Sequence, residues 1–264
     1  MLRRAFALRW MLWRKLLLTR LAFQARLVGA TVSLQVAEDV RVSPRVRFDV
    51  QSGSSSSVAI GPGCRIHDGV LVLLKGGSLE LGVGVEIRRG TVINLSGSLS
   101  LQGHNIISYS NVIHCAEAIV LEPYASTNEF VSIIDSTHHH DGARGFFYEN
   151  VTTAPIRIGA NAWICNKASV LMGVSVGANS VVASHAVVNR DVPEGVVAGG
   201  LPARVLAERP VGPASRELAE RAPQLRTQGA SHDRAQDAEG GSAPGPALGA
   251  ERRAALGRDA VIGA

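Results

Sequence analysis

An aliphatic residue recurs at every sixth position, without a gap, through Ile158, Ile164, Val170, Val176, Val182 and Val188. A helix facing a core repeats its apolar residues at spacings of three and four, and a half-buried strand alternates by two. A period of six satisfies neither alone. It suits a coil with three six-residue sides, each sending one aliphatic residue inward. The same step runs through Ile60, Ile66 and Val72, then Leu81, Ile87 and Ile93, then Leu101, Ile107 and Ile113, then Leu121, Thr127 and Ile133. Leu34, Val40 and Val46 suggest an earlier, less regular coil.

Small or slender residues keep the same phase, four places after an aliphatic one, as at Cys64, Thr91, Ala125, Ala162, Ala168, Ser180 and Ala186. Glycine often follows the first aliphatic of a triplet, at Gly61, Gly82, Gly159 and Gly177. The small residues are expected in narrow corners, and the glycines are expected to ease the turn. Stacked coils place like residues above like, so each strand pairs with those above and below it. The pattern predicts an all-β chain, a parallel β-helix over residues 31–206. The 28 glycines and the 5% of aromatic residues suit many short strands and tight turns.

Coils start at 60, 81, 101, 121, 158 and 176, so the intervals are 21, 20, 20, 37 and 18. The long interval carries an extended loop at 135–155, DSTHHHDGARGFFYENVTTAP, more polar and more aromatic than the coils around it. A long loop thrown out of a regular solenoid is usually functional.

Charge is concentrated at one end. The formal excess is +5, yet Arg3, Arg4, Arg9, Arg14, Lys15, Arg20 and Arg26 give residues 1–30 a subtotal of +7 with no acid, leaving −2 elsewhere. A basic nucleic-acid-binding body is not indicated. The uncharged runs Ala5–Leu8, Trp10–Trp13 and Leu16–Thr19 are far short of the ~20 residues that span a bilayer, and Arg9, Arg14 and Lys15 break any signal-peptide core. Residues 1–30 read as one helix. It either packs on protein or lies at a membrane surface, with Trp10 and Trp13 at headgroup depth and the arginines on anionic lipid. Cys64, Cys115 and Cys165 are widely spaced and form no disulfide framework, which points to a reducing compartment. The expected place is the cytoplasm, with the inner face of the membrane as the peripheral site. Residues 207–264 turn to Ala, Gly, Pro, Arg and Glu; a short helix is expected over Ser215–Ala222 with Ser215 as its N-cap, and the rest reads as a disordered tail.

Residues 154–206 carry PIRIGANAWI at 155–164, the paired coils at 164–188 and DVPEGVVAGGLPARV at 191–205. This stretch closely resembles the end of the maltose/galactoside O-acetyltransferase group of hexapeptide-repeat acyltransferases, and the likeness extends over roughly residues 100–206. It implies a left-handed β-helix, acetyl-CoA as co-substrate with no metal, and a homotrimer with sites between subunits. It also implies transfer of acetyl to a hydroxyl of a glycan or of a nucleotide- or lipid-linked sugar. The family's general base is a loop histidine in a Thr-His or Gly-His context after a Val-x-Ile strand. Here Val131-Ser132-Ile133 leads to Thr137-His138, so His138 matches, with His140 as second candidate because related sequences often read DHDH. Asn111 matches an acceptor-binding asparagine across a one-residue gap; read from its own coil alone, it is equally an inward, stacked asparagine. Trp163 matches the tryptophan beside the CoA channel, and Asn166 and Ser184 fall along the pantetheine path. Asn189 and Arg190 stand where Thr-Lys is usual near the adenine, and Arg204 matches the arginine of the closing motif. Cys165 and His185 replace usual glycines and would narrow the channel. The alternatives are N-acylation of an amino sugar on the same scaffold, and a solenoid scaffold without catalysis. The wide histidine spacing of γ-class carbonic anhydrases, which share this fold, is not matched.

Overall fold

The computed structural model describes residues 2–138, 151–218, 220–222 and 224, with backbone alone for residues 2–12. Seven coils stack into a parallel β-helix with three faces. The first face runs from Thr31–Val36 to Ser175–Val176, and the third from Arg47–Val50 to Val187–Val188. The second runs from Arg41–Val42 to Val181–Val182 and is extended by a hairpin, Val196–Gly200 with Ala203–Glu208.

All eighteen positions of the six aligned triplets are buried, Thr127 included. Register is strict: Ile93 pairs with Ile113, Ile113 with Ile133, and Ile133 with Val170. Strands on the first and third faces bury a second residue by alternation, as with Leu99 beside Leu101 and Leu95 beside Ile93. The phase-locked small residues are buried as the narrow corners require.

The glycines following the first aliphatic serve a different purpose from the one expected. None of Gly61, Gly82, Gly159 and Gly177 has a positive φ; a Cβ at Gly82 would meet the Gln102 carbonyl oxygen at 2.6 Å, and one at Gly177 the Glu194 nitrogen at 2.4 Å. They admit the next coil. The turn conformation sits two residues later, and in the upper coils it falls on His104, Tyr124, Asn161 and Asn179 at the first corner. At the second corner it falls on Ser110, Phe130, Lys167 and His185. Left-handed backbone costs a side-chain-bearing residue about 1–2 kcal/mol, so the stacked ladder enforces it. His104 and Tyr124 stack their rings, with centroids 5.1 Å apart.

Close approach is tightest at the third corner, where a Cβ on Gly97 would lie 2.3 Å from the Glu117 carbonyl oxygen. Backbone cannot move aside there without parting two coils. Gly97→Ala is expected to destabilise by about 1–3 kcal/mol, read as a lower midpoint in urea. An unchanged midpoint would show that the coils separate freely.

The N-terminal residues form a helix, Leu2–Leu27. Leu21 and Ala25 are buried against the first coil, with Leu17 and Val28 packed beside them. Arg14 reaches the carbonyl oxygens of Val36 and Ala37 at 2.9 and 3.0 Å. The helix touches the first strand of all three faces and closes the apolar end of the solenoid, which is the packed alternative for this segment. Among the described residues no helix is long and apolar enough to cross a membrane. Toward the other end, residues 213–218 are helical, so that helix begins at Pro213, a favoured first residue, and Ser215 lies inside it rather than capping it. The expected disordered tail falls almost wholly outside the described residues.

Candidate functional site

The inserted loop leaves the solenoid at the corner between the third face and the first. Its two legs form an antiparallel ribbon, Ser136–His138 against Val151–Thr153, with His138 opposite Val151. His138 is exposed at the last described position of the outgoing leg. His139 and His140 lie outside the described residues.

The ribbon is anchored by a residue the motif left unassigned. Asp135 follows the strand Ser132–Ile134 and takes the inward place that Leu74, Leu95 and Cys115 occupy in the coils below. It is fully buried. Its carboxylate accepts the backbone N–H groups of Ala116 at 2.7 Å and Glu117 at 2.9 Å. Its own N–H donates to the His114 carbonyl oxygen, and its carbonyl oxygen accepts the N–H of Ala154 on the returning leg. One residue of the fifth coil therefore holds both legs together and ties them to the fourth coil below. An acid interrupting an aliphatic column was the available sequence signal. Burial, and then the charge of Asp135, push the Cys115 thiol up to about 12, so Cys115 is a protonated core residue at neutral pH. Burial, and then Lys75, hold the half-buried His114 imidazole below its ordinary value, with Asp135 acting the other way.

A second group of residues stands on the second face and its corner with the third. Trp163 is 44% exposed, and its Nε1–H donates to Asn128 Oδ1 at 3.0 Å. Asn128 had drawn no attention in the sequence, because only the one-coil register places it beneath the indole. Asn166 and Ser184 are stacked at the corner, with the Ser184 hydroxyl donating to Asn166 Oδ1. His185 is exposed and its N–H donates to the Asn166 carbonyl oxygen at 3.1 Å. Cys165 is half-buried, and burial raises its thiol. Arg204 is exposed on the closing hairpin above this face, opposite Gly199.

The remaining candidates lie elsewhere. Asn189 and Arg190 are at the far edge of the third face; Arg190 is exposed, while Asn189 Oδ1 is buried and has no hydrogen-bond partner among the described residues. Asn111 is buried at the second corner. Its amide donates to the Ser108 and Asn128 carbonyl oxygens at 2.8 and 3.0 Å and accepts the Val131 N–H at 3.0 Å. These contacts are those of the inward, stacked asparagine that its own coil suggests. Asn105 does the same at the first corner, donating to the carbonyl oxygens of Glu122 and Ala125. Among the described residues no three His, Cys, Asp or Glu side chains gather as metal ligands.

No protein-family model matches the chain. The probable acetyltransferase Rv3034c of Mycobacterium tuberculosis is 30% identical over 154 residues, 58% of this chain and 50% of that protein. The galactoside O-acetyltransferase of Escherichia coli K12 is 39% identical over 71 residues, 27% of this chain and 33% of the relative. The putative acetyltransferase YJL218W of Saccharomyces cerevisiae is 50% identical over 52 residues, covering 20% and 26% of the two chains. The chain thus spans half or less of the length of these curated relatives. Among solved structures, the polysialic acid O-acetyltransferase OatWY superposes with a TM-score of 0.51 at 21% identity, over 67% of this chain and 89% of the other, a likeness of fold. With seven coils of period six and acetyltransferases among its relatives, the chain is similar in fold and in part of its sequence to hexapeptide-repeat acyltransferases.

Proposed function

We propose that this chain is an acetyl-CoA-dependent O-acetyltransferase acting on a hydroxyl of a glycan or of a nucleotide- or lipid-linked sugar, with His138 as general base. The observation that carries the reading is the anchored ribbon: it breaks an otherwise regular solenoid, and it holds a histidine clear of the coils. A sugar hydroxyl is a poor nucleophile at neutral pH. An imidazole that takes its proton as the oxygen attacks the thioester carbonyl removes that obstacle. The tetrahedral intermediate then collapses, the carbon–sulfur bond breaks, and the proton passes to the departing CoA thiolate. The oxyanion needs a donor within reach, a role that a backbone N–H can fill.

The residues on the second face suit the other substrate. Trp163 offers an exposed flat wall to the pantetheine arm, beside Asn166 and Ser184. Arg204, on the closing hairpin, suits CoA phosphates, which guanidinium groups bind with paired hydrogen bonds. Asn189, whose Oδ1 has no hydrogen-bond partner among the described residues, and the exposed Arg190 suit the nucleotide end.

Within one chain the His138 ribbon leaves between the third and first faces, whereas Trp163 stands on the second. A neighbouring copy that laid its ribbon along the Trp163 face would complete the site. Three copies around a three-fold axis close such a head-to-tail contact, and a homotrimer follows from this reading.

The test combines binding with assembly. Acetyl-CoA should bind the wild-type chain in calorimetry, and Trp163→Ala should weaken binding about tenfold, roughly 1.4 kcal/mol. Sedimentation equilibrium should give a trimer. At acetyl-CoA concentrations that leave Trp163→Ala mostly unoccupied, mixed trimers of His138→Ala and Trp163→Ala chains should exceed the mean activity of the two variants, because some sites then draw His138 from one chain and Trp163 from another. A stable monomer of full activity would sink the shared site, and absence of acetyl-CoA binding would sink the transferase. An acceptor screen that acetylates only amino sugars would move the reaction from oxygen to nitrogen.

A further inference from the structure

The N-terminal helix is apolar on two sides, and the solenoid uses only one of them. The docked side carries Leu17, Leu21, Ala25 and Val28. On the outward half, Trp13, Leu16, Phe23 and Leu27 are 36, 56, 62 and 71% exposed. Their positions, with Arg20 between them, follow spacings of three and four, which set them in one stripe along the helix. Lys15 and Arg26, both exposed, border the stripe on one side, and Arg20 is exposed within it. Read around the whole wheel the cations look scattered, because two apolar faces overlap; once the docked face is removed, what remains is an apolar stripe among positive charges.

We propose that this outward stripe seats the protein on an anionic lipid bilayer, with Trp13, Leu16, Phe23 and Leu27 entering the interface and Lys15, Arg20 and Arg26 on acidic headgroups. Charge selects this occupant over a second copy of the chain. Residues 1–30 carry seven cations and no acid, so pairing two such helices would set fourteen like charges together and bring Arg20 into an apolar seam. An anionic surface turns the same charges into attraction, and apolar side chains between cations are the pattern of helices that lie in the membrane plane. Because the helix lies across the end of the solenoid, seating it holds the coils upright. At about 4.8 Å per strand, the four steps from the first coil to the fifth hold the base of the His138 ribbon roughly 20 Å above the helix.

The experiment uses the full chain with sedimented vesicles of phosphatidylcholine, with and without phosphatidylglycerol. The wild-type chain should bind the anionic vesicles, bind the neutral ones weakly, and lose binding as salt rises. The double variant L16E/F23E should bind the anionic vesicles about tenfold or more weakly. Both side chains are more than half exposed, so the variant should keep the wild-type thermal midpoint and, in solution, the wild-type sedimentation behaviour. Equal binding by the two proteins, or no binding by the wild type, overturns the proposal. So does a loss of higher assembly in L16E/F23E without any vesicle binding, which would assign the stripe to pairing between copies. These readouts do not involve acetyl transfer and stand or fall apart from it.

Discussion

Replacing His138 with alanine should lower kcat by about 10²–10⁴, the usual worth of a general base, while acetyl-CoA binding barely changes. The two effects separate because the ribbon that carries His138 is built on the fifth coil, whereas Trp163, Ser184 and Arg204 stand on the sixth coil and above. A ground-state binding role would raise KM and spare kcat, so steady-state kinetics distinguish the cases. His139→Ala should be mild, and His140→Ala should fall between the two if His140 orients the base. Should His140→Ala abolish turnover while His138→Ala retains most of it, the base stands two residues further along and the reaction class survives. Wild-type turnover in all three variants would remove the proposed mechanism.

The solenoid was legible because its physics is periodic. Each inward position from Ile60 to Val188 must be apolar for the same reason as the one below it, so a single rule repeated eighteen times survives an exception such as Thr127. The corners were only half legible. Gly82 and Gly177 were recognised as special, but their special quality is the nearness of the next coil, a contact between residues about twenty positions apart. Tyr124 and Phe130 take up left-handed backbone, which no propensity assigns to aromatic residues; the stack imposes it. The candidate site divides along the same line. Motif spacing singled out His138 and Trp163, and both are exposed. Asn128 escaped notice, since its part in holding the indole depends on register alone. Asn111 stands at a motif position and also makes the contacts of a corner, so its residue type alone could not separate the two roles. The helix followed the same logic, since seven cations around a wheel looked patternless until docking divided its faces.

Asp135 is where fold and chemistry meet, and its removal should be felt in both. In Asp135→Ala the backbone N–H groups of Ala116 and Glu117 lose their acceptor inside the protein. An unsatisfied buried donor costs about 1–3 kcal/mol; Ala116 is half-buried and Glu117 exposed, so the variant should lose roughly 1–3 kcal/mol of stability in urea unfolding. The same carboxylate fixes the corner from which the ribbon springs, and the Ala154 contact on its main chain would loosen with it. His138 would then sample many positions. A catalytic group displaced by about 1 Å can lose 10²-fold in rate, so kcat should fall by up to that factor even in conditions where the variant is fully folded, with KM for acetyl-CoA little changed. Asp135→Asn keeps the shape and one acceptor oxygen but turns an NH₂ group toward the other N–H, so it should fall between wild type and alanine on both measures. Lower stability with wild-type kcat in the folded fraction would make Asp135 a strut of the solenoid with no part in placing His138. Wild-type stability and wild-type turnover together would mean that the ribbon is held by something other than the carboxylate in the leucine column.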